Sequence, residues 1–547
     1  MKQNYLLALL SAILLWLAWP PIPYTGLLLL VGFVPLLVAI ENIIRGNYSK
    51  KGAKIFQVAF LTGFVWNTAS IYWVFNAMNA FLPTAVSLFI ALIPYALAPL
   101  LMASAFRLYY QIRKQRHIAV SFIGLVSLWI GYEYLHQTWG LAFPWMNLGN
   151  GLANVHQLIQ WYSFTGVYGG TLWIWLTNIF AFLLYWQYKE KVAAFSQKKL
   201  MIGLLSTVLL PITVSLIQYF SYEEHINPSE VVVVQPSIDP YQKFGSITPA
   251  EQLDKLFKLS ESVAKPNTEF FLWPETAISD RNGINEEDFR AYPAYENSVS
   301  FLEKYHNGNI LSGIESYLVY SDQKTPTARP FGDKYLDSFN AAVLIDGSSK
   351  VQFYHKSKLV PGVEQMPFGK ALSFMKPLFE HFGGTTGGYG HDKEPSVFYS
   401  QSGIGSAPVI CYESIWGIYV AEYIKKGAQF IAIVTNDGWW KDTSGKDQHM
   451  SYAKLRAIEN RRWVARSANT GISGFINQRG DIVQQTEWWV PAALSQEINL
   501  NEDITFYTQY GDLIAYLGLL GCLASALLLL IPIPNQKKNT KKYTHNN

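Results

Sequence analysis

Apolar residues fall along this chain in long blocks and in short ones, and block length separates two kinds of structure. Continuous apolar stretches lie at 5–22, 26–44, 57–77, 84–106, 118–135, 157–186, 201–219 and 512–532. Their lengths approach or exceed the ~20 residues with which a helix crosses ~30 Å of hydrocarbon. They predict a bundle of about eight membrane spans, the sixth long enough to tilt or to begin as an interfacial segment. Between 220 and 511 the pattern changes to short runs at 231–236, 270–273, 309–313, 340–345, 351–355, 407–411 and 429–435, each bounded by turn residues. Helical periodicity at 249–264, 296–306, 413–426 and 447–460 lies between them. Strands alternating with helices predict an α/β domain with helix-covered sheets. The expected division is 1–219 for spans one to seven, 220–511 for a domain outside the membrane, 512–532 for span eight and 533–547 for a basic tail.

Charge then orients the bundle. Arg45, Lys50, Lys51 and Lys54 follow the second span; Arg107, Arg113, Lys114 and Arg116 follow the fourth. Lys189, Lys191, Lys198 and Lys199 follow the sixth, and Lys537, Lys538, Lys541 and Lys542 the eighth, whereas the loops after spans one, three and five hold no Lys or Arg. Positive loops stay cytoplasmic, so both termini are expected inside and residues 220–511 outside. Lys2 before the first run resembles a signal peptide. That run closes on Trp19-Pro20-Pro21-Ile22-Pro23 with no small-residue cleavage site, so an uncleaved anchor is expected.

Composition agrees. The 547 residues are 50% hydrophobic and only 15% charged, against about 25% charged in a soluble domain. The chain is also longer than the roughly 250–300 residues one core supports. A net charge of +4, with no basic stripe in the outside domain, excludes a nucleic-acid partner.

Of the two cysteines, Cys522 lies in the last span, where a small apolar packing role suffices. Cys411 is the single cysteine of the outside domain. In an oxidising compartment cysteines ordinarily pair, so a solitary thiol asks for a reason. Three predicted strand ends carry complementary groups: Trp273-Pro274-Glu275, Tyr354-His355-Lys356-Ser357-Lys358-Leu359-Val360-Pro361, and Pro408-Val409-Ile410-Cys411-Tyr412-Glu413. A cysteine where a helix begins gains thiolate character from free amides. A carboxylate can serve as its base, and an ammonium can balance an oxyanion. Taken singly, a glutamate at a strand end is usually a solvated turn residue, and a lone lysine is blander still.

Glu, Lys and Cys in this order, each ending a strand, resemble the nitrilase superfamily, whose members use a Glu-Lys-Cys triad on an αββα sandwich. The flanking residues narrow the resemblance to a membrane-bound branch, the apolipoprotein N-acyltransferases. These are Trp273-Pro274-Glu275, Tyr354-x-Lys356-x-x-Leu359-Val360-Pro361, Ile410-Cys411-Tyr412-Glu413, Asn436-Asp437-Gly438-Trp439, Gln448-His449, Arg456-Ala457-Ile458-Glu459, Arg466-Ser467-Ala468-Asn469-Thr470-Gly471-Ile472-Ser473 and, in the bundle, Phe143-Pro144-Trp145. The resemblance covers nearly the whole chain. It implies a polytopic helical bundle plus a nitrilase-like αββα sandwich, with Glu275 as general base, Lys356 as the charge-balancing group and Cys411 as the acylated nucleophile. It also implies supporting roles for Glu364, Tyr412 (whose amide is the expected oxyanion donor), Glu413, Asn436 and Trp439. Two departures stand out: Gly362-Val363 where the family reads Phe-Gly, and Lys243-Phe244 where it reads Lys-Trp.

The implied reaction moves an acyl chain from a membrane phospholipid through a Cys411 thioester to the N-terminal α-amine of a diacylglyceryl-cysteine apolipoprotein, with neither metal nor other cofactor. The resemblance places the enzyme in a bacterial inner membrane, so the outside domain is expected to be periplasmic; a multi-pass monomer is expected. A membrane-tethered amidase, with water as acceptor, fits eight spans poorly, since a tether needs one. A scaffold with a decayed domain would be expected to have lost the triad. No Gly-x-Ser-x-Gly elbow is present. His381, His391 and His449 lack metal-ligand spacing, and the glycine-rich 381–391 lacks the ending of a phosphate loop. Glu41, Glu133 and His136 sit toward span ends, where a headgroup-facing role competes with a structural one. Trp66, Trp73, Trp139, Trp145 and Trp161 are expected in interfacial belts.

Overall fold

The computed structural model describes residues 1–547 except 80–82, 192–193, 241–246, 281–282, 349, 366–387 and 532–547. The Lys243-Phe244 pair, His381, most of the glycine-rich segment and the basic tail therefore lie outside the described residues. In the N-terminal part the helices are α1 (Lys2–Leu17), α2 (Val34–Arg45), α3 (Lys51–Ser70), α4 (Trp73–Asn79), α5 (Thr84–Gln115), α6 (Ile118–His136), α7 (Tyr162–Lys189) and α8 (Ala194–Ser221). Six helical segments of the described chain are long and apolar enough to span a membrane; α3 and α4, bent by 58° at their junction, make up to seven. The first predicted span is a shorter apolar helix of 16 residues, because Pro20, Pro21 and Pro23 follow it and proline cannot continue a helix. The long sixth stretch is broken. A 3₁₀ segment, Leu148–Leu158, precedes α7, which itself kinks at Gly166.

Fourteen strands make two sheets among the described residues. In chain order they are β1 (Pro228–Gln235), β2 (Thr268–Ile278), β3 (Ile284–Asn285), β4 (Asn309–Tyr320), β5 (Arg329–Phe331), β6 (Lys334–Asp346), β7 (Gln352–His355), β8 (Phe398–Tyr399), β9 (Gly405–Ile410), β10 (Phe430–Thr435), β11 (Val464–Ala468), β12 (Gly474–Ile476), β13 (Ile482–Gln485) and β14 (Ala492–Asn499). The first sheet runs β14-β1-β2-β4-β6-β5, with β3 on β4 and β7 on β6; the second runs β13-β12-β11-β10-β9-β8. All seven predicted runs are strands. Those after Ala468 escaped prediction because Gly474, exposed Ile482 and half-buried β14 break the apolar alternation.

Alternation along β1 sorts the layers, since successive side chains of a strand face opposite ways. Val232 and Val234 enter a core with Leu253 and Leu256 of α9 (Pro249–Val263) and Phe301 of α10 (Pro293–Leu302). Val231 and Val233 face the second sheet, where Phe270 of β2 meets Phe430 of β10 with ring centres 5.0 Å apart. Outside the second sheet lie α11 (Gly417–Lys425) and α12 (Ser444–Asn460). The order helix–sheet–sheet–helix is the expected αββα sandwich. A short helix, α13 (Phe506–Tyr510), then leads to the last span, α14 (Leu513–Leu530). There Cys522 packs on Gly131 and its thiol meets the carbonyl of Ser127 at 3.0 Å, the packing role expected of it.

One apolar core runs from the bundle into the sandwich, and α12 is the element between them. Gln448 accepts from the indoles of Trp73 (3.1 Å) and Trp145 (2.7 Å) and donates to the carbonyls of Pro20 (2.9 Å) and Ser70 (2.8 Å). The sandwich is thereby tied to the turn after α1, to α3, to α4 and to the 3₁₀ turn Pro144–Met146 at once. Trp66, Trp73 and Trp145 are buried, at 0%, 4% and 1% exposure, which corrects their assignment to an interfacial belt. Glu133 and His136 are likewise buried in the bundle rather than turned toward headgroups.

Candidate active site

The triad residues arrive from both sheets. Pro274 lacks the amide that would continue the ladder, and the β2–β4 register shifts between Trp273 and Ile278. Strand β2 therefore bulges where the sequence suggested it would stop, and Glu275 sits on the bulge, beside Thr276 at φ +52°. Bulges re-aim side chains at active sites. The neighbouring strand permits it only with glycine: a Cβ on Gly313 would stand 2.5 Å from Glu275 Cα. Lys356 follows β7, its amide bonded to the carbonyl of Asn340 on β6 at 2.9 Å. Cys411 follows β9, at the carboxyl ends of the parallel strands β9–β10–β11.

These groups form one buried cluster. Lys356 Nζ donates to Glu275 Oε1 at 3.1 Å and to Glu364 Oε1 at 2.8 Å. Asn340 Nδ2 donates to the same two oxygens, each at 2.8 Å. Glu364 Oε2 accepts from the Val360 amide at 2.8 Å. The Gly362-Val363 departure thus leaves Glu364 in place: Gly362 takes φ +82°, and its amide closes the turn on the Gln365 carbonyl at 2.8 Å. Two carboxylates around one ammonium leave the cluster one charge negative. Burial works against charge on Lys356, but Glu275 and Glu364 overcome it and hold its pKa above the ordinary lysine value.

Glu413 joins the two sheets at this point. Fully buried, it accepts from Tyr354 OH (2.6 Å) and the amides of Ser357 (2.7 Å), Lys358 (3.2 Å) and Ile410 (2.9 Å). One carboxylate therefore holds the chain leaving Lys356 and the chain entering Cys411. Cys411 itself has φ +49°, a conformation that costs a non-glycine residue about 1–3 kcal/mol. It opens a five-residue 3₁₀ turn, Cys411–Ile415. Burial pushes its thiol above the usual cysteine pKa, and Glu275 adds to this, against opposing contributions from Lys356 and a Thr435 hydrogen bond. The thiolate character expected from a helix start is outweighed.

The supporting residues divide. Tyr412 anchors the turn to the bundle: its hydroxyl donates to the Ala142 carbonyl at 3.0 Å and its ring lies against Phe143. Asn436 is bound into its own turn, accepting from Thr470 Oγ1 (3.2 Å) and the Gly438 amide (3.3 Å). Trp439 is half-buried in the same turn. Sequence reading missed Asn340, whose Phe339-Asn340-Ala341 setting carries no motif, and the partnership of Asp437, His449 and Arg466 beneath the cysteine. Among the described residues no group of three His, Cys, Asp or Glu side chains could hold a metal ion.

Two family models match separate parts of the chain. The family model described as carbon-nitrogen hydrolase matches residues 231–504, and the model of the apolipoprotein N-acyltransferase N-terminal domain matches 11–180. The chain is 29% identical over 540 residues to the apolipoprotein N-acyltransferase of Chlorobaculum tepidum, covering 96% of each. It is 28% identical over 539 residues to that of Geobacter metallireducens, covering 96% of this chain and 95% of the relative. A carbon-nitrogen hydrolase superfamily structure from Xanthomonas campestris aligns at 16% identity and TM-score 0.35, over 50% of this chain and 91% of that one.

Proposed function

We propose, from the premise that this chain belongs to the carbon-nitrogen hydrolase family in its apolipoprotein N-acyltransferase branch, that Cys411 carries an acyl group from a membrane phospholipid to the N-terminal amine of a lipoprotein. The chain is a membrane acyltransferase, and its relatives support N-acylation of lipoproteins in general. The observation that carries the finer reading is the convergence of a buried thiol, a carboxylate and an ammonium that donates to two carboxylates, at the face of the sandwich that meets the bundle.

Glu275 takes the thiol proton as Cys411 Sγ attacks the ester carbonyl. The cluster's net charge is unchanged by that internal transfer, so the buried site never holds an additional charge. The tetrahedral oxyanion is met by Lys356 and the Tyr412 amide. Its collapse breaks the C–O bond, Glu275 returns the proton to the leaving oxygen, and lysophospholipid departs from a Cys411 thioester. The α-amine of S-diacylglyceryl-cysteine then attacks the thioester carbonyl and Glu275 accepts its proton; collapse breaks the C–S bond, Glu275 returns the proton to Sγ, and the amide and the free Cys411 thiol result. Both substrates carry diacylglyceryl chains that stay in the bilayer, which is why the thiol stands where the domain abuts the spans. The domain division read from the sequence, the periplasmic placement of 220–511, cytoplasmic termini and a monomer belong to the same proposal, supported by the alternation of charged loops.

Purified enzyme incubated with phospholipid and no acceptor tests the first half by intact-protein mass spectrometry. One added acyl mass, released by hydroxylamine and missing from Cys411→Ala, is the expected result. An unmodified protein whose transfer activity survives Cys411→Ala would overturn the mechanism.

A further inference from the structure

Beneath the 3₁₀ turn that presents Cys411 lies a second chain of buried polar groups that the acyl-transfer steps do not use. Ser414, His449, Asp437 and Arg466 are each no more than 1% exposed. Ser414 Oγ donates to the Cys411 carbonyl at 2.8 Å, and His449 Nε2 lies 2.8 Å from that hydroxyl and 3.3 Å from that carbonyl. On the other edge of the ring, Nδ1 is 3.0 Å from Asp437 Oδ1 and 3.0 Å from Arg466 Nη2. Arg466 Nη2 also donates to Asp437 Oδ2 at 2.8 Å, and Nη1 to the Ile472 carbonyl. The rings of Trp145 and Trp440 pack on the imidazole, with centres 5.7 and 5.4 Å away.

A carbonyl only accepts, so holding it requires a hydrogen on Nε2. Two states carry one: the neutral ring with Arg466 donating to Nδ1, and the imidazolium with Nδ1 donating to Asp437. Burial holds His449 below its ordinary pKa despite Asp437, which favours the neutral state. The object being held matters more than the holder. The Cys411 carbonyl and the Tyr412 N–H belong to one planar trans peptide and point in opposite directions. Whatever grips the carbonyl from below aims the amide above. The same grip sets the ψ of Cys411, whose left-handed φ gives its thiol direction.

We infer that Ser414 and His449, braced by Asp437 and Arg466, are positioning residues that lock the Cys411–Tyr412 peptide so that the Tyr412 amide faces the oxyanion. This rests on the reading of Cys411 as acylated nucleophile and adds to it a device outside the Glu-Lys-Cys set. The fold supplies a reason for the placement. Asp437 comes from the turn after β10, His449 from α12 and Arg466 from β11, so two neighbouring strands of the second sheet and the helix that covers it converge beneath the turn after β9.

The test compares His449→Gln, which keeps an amide donor near the Nε2 position, with His449→Met, of similar size and without one. Thioester formation is followed by intact mass at varied phospholipid, and the thermal midpoint of each variant is recorded. The expected result is that His449→Met forms the thioester about tenfold to a hundredfold more slowly at saturating phospholipid, the scale of a misplaced reacting group. Its KM stays unchanged, while His449→Gln regains most of the rate. Ser414→Ala, which removes one hydroxyl, is expected to slow the same step and carries the test should His449→Met not fold. Wild-type rates in the folded Met and Ala variants would overturn the inference. So would a Gln variant as slow as Met with both folded. Acyl transfer persisting in Cys411→Ala would instead sink the nucleophile reading beneath it, a separately visible failure.

Discussion

The bundle and the catalytic domain each bury carboxylates, and they do so by different means. In the bundle, Glu133 accepts from the Trp129 indole (3.0 Å), the Leu148 amide (2.8 Å) and Thr171 Oγ1 (2.9 Å). All three donors are neutral, and two come from other segments, so this carboxylate acts as a staple between α6, the 3₁₀ segment and α7. In the catalytic domain, Glu275 and Glu364 share an ammonium as well as an amide. A staple needs acceptors, which an uncharged carbonyl also supplies. A proton relay needs the ionisable group itself. Burial does not separate the two places; the charge of the partner does.

Glutamate-to-glutamine substitution separates the two most sharply. Glu275→Gln keeps the hydrogen-bonding shape and removes the base, so acyl transfer should fall about 10²–10⁴-fold with little change in thermal midpoint. Near-wild-type turnover would remove Glu275 from the mechanism. Lys356→Met takes the shared cation from two buried carboxylates and should cost about 3–5 kcal/mol of stability besides abolishing thioester formation, read by thermal unfolding in detergent and intact mass. In the bundle, Glu133→Leu leaves three donors unpaired and should cost about 2–4 kcal/mol, whereas Glu133→Gln should cost under ~1 kcal/mol and leave turnover intact. A Gln variant as damaged as Leu would show that the charge matters there after all.

A pH effect concerns a third arrangement, one residue before Lys356. Both nitrogens of His355 face carboxylates, Glu286 at 2.9 Å and Asp392 at 3.1 Å. Burial opposes its charge, yet the two hydrogen-bonded carboxylates raise its pKa to about 9. A histidine pKa raised by folding contributes stability in full below the unfolded value of about 6.5, and that stability is lost as pH rises through about 9. Unfolding free energy should therefore drop by roughly 2 kcal/mol between pH 7 and 9, and the drop should vanish in His355→Gln.

Much of this was legible beforehand because it is written in local patterns. Apolar length marked the spans, alternation marked all seven strands that were called, and the Glu-Lys-Cys order with its flanking motifs marked the site. The tryptophans misled because an indole suits an interface and an internal contact equally well. Burial of Trp66, Trp73 and Trp145, with Gln448 between the last two, distinguishes the two. The thiol misled for a related reason: a helix start predicts its local field, while its burial depends on everything packed above it.

The sequence alone determined which segments are apolar enough for a bilayer, which alternate as strands, and which side chains could carry the chemistry, since these depend on each residue's own properties and its near neighbours. Tertiary structure decided the rest. It placed Asn340 between two glutamates 65 and 24 residues away, set Glu413 across the two sheets, bulged β2 around Glu275, and put His449 under the Cys411 carbonyl. Each of these is a contact between distant segments, where partner and geometry follow from how layers pack, and no local pattern encodes that.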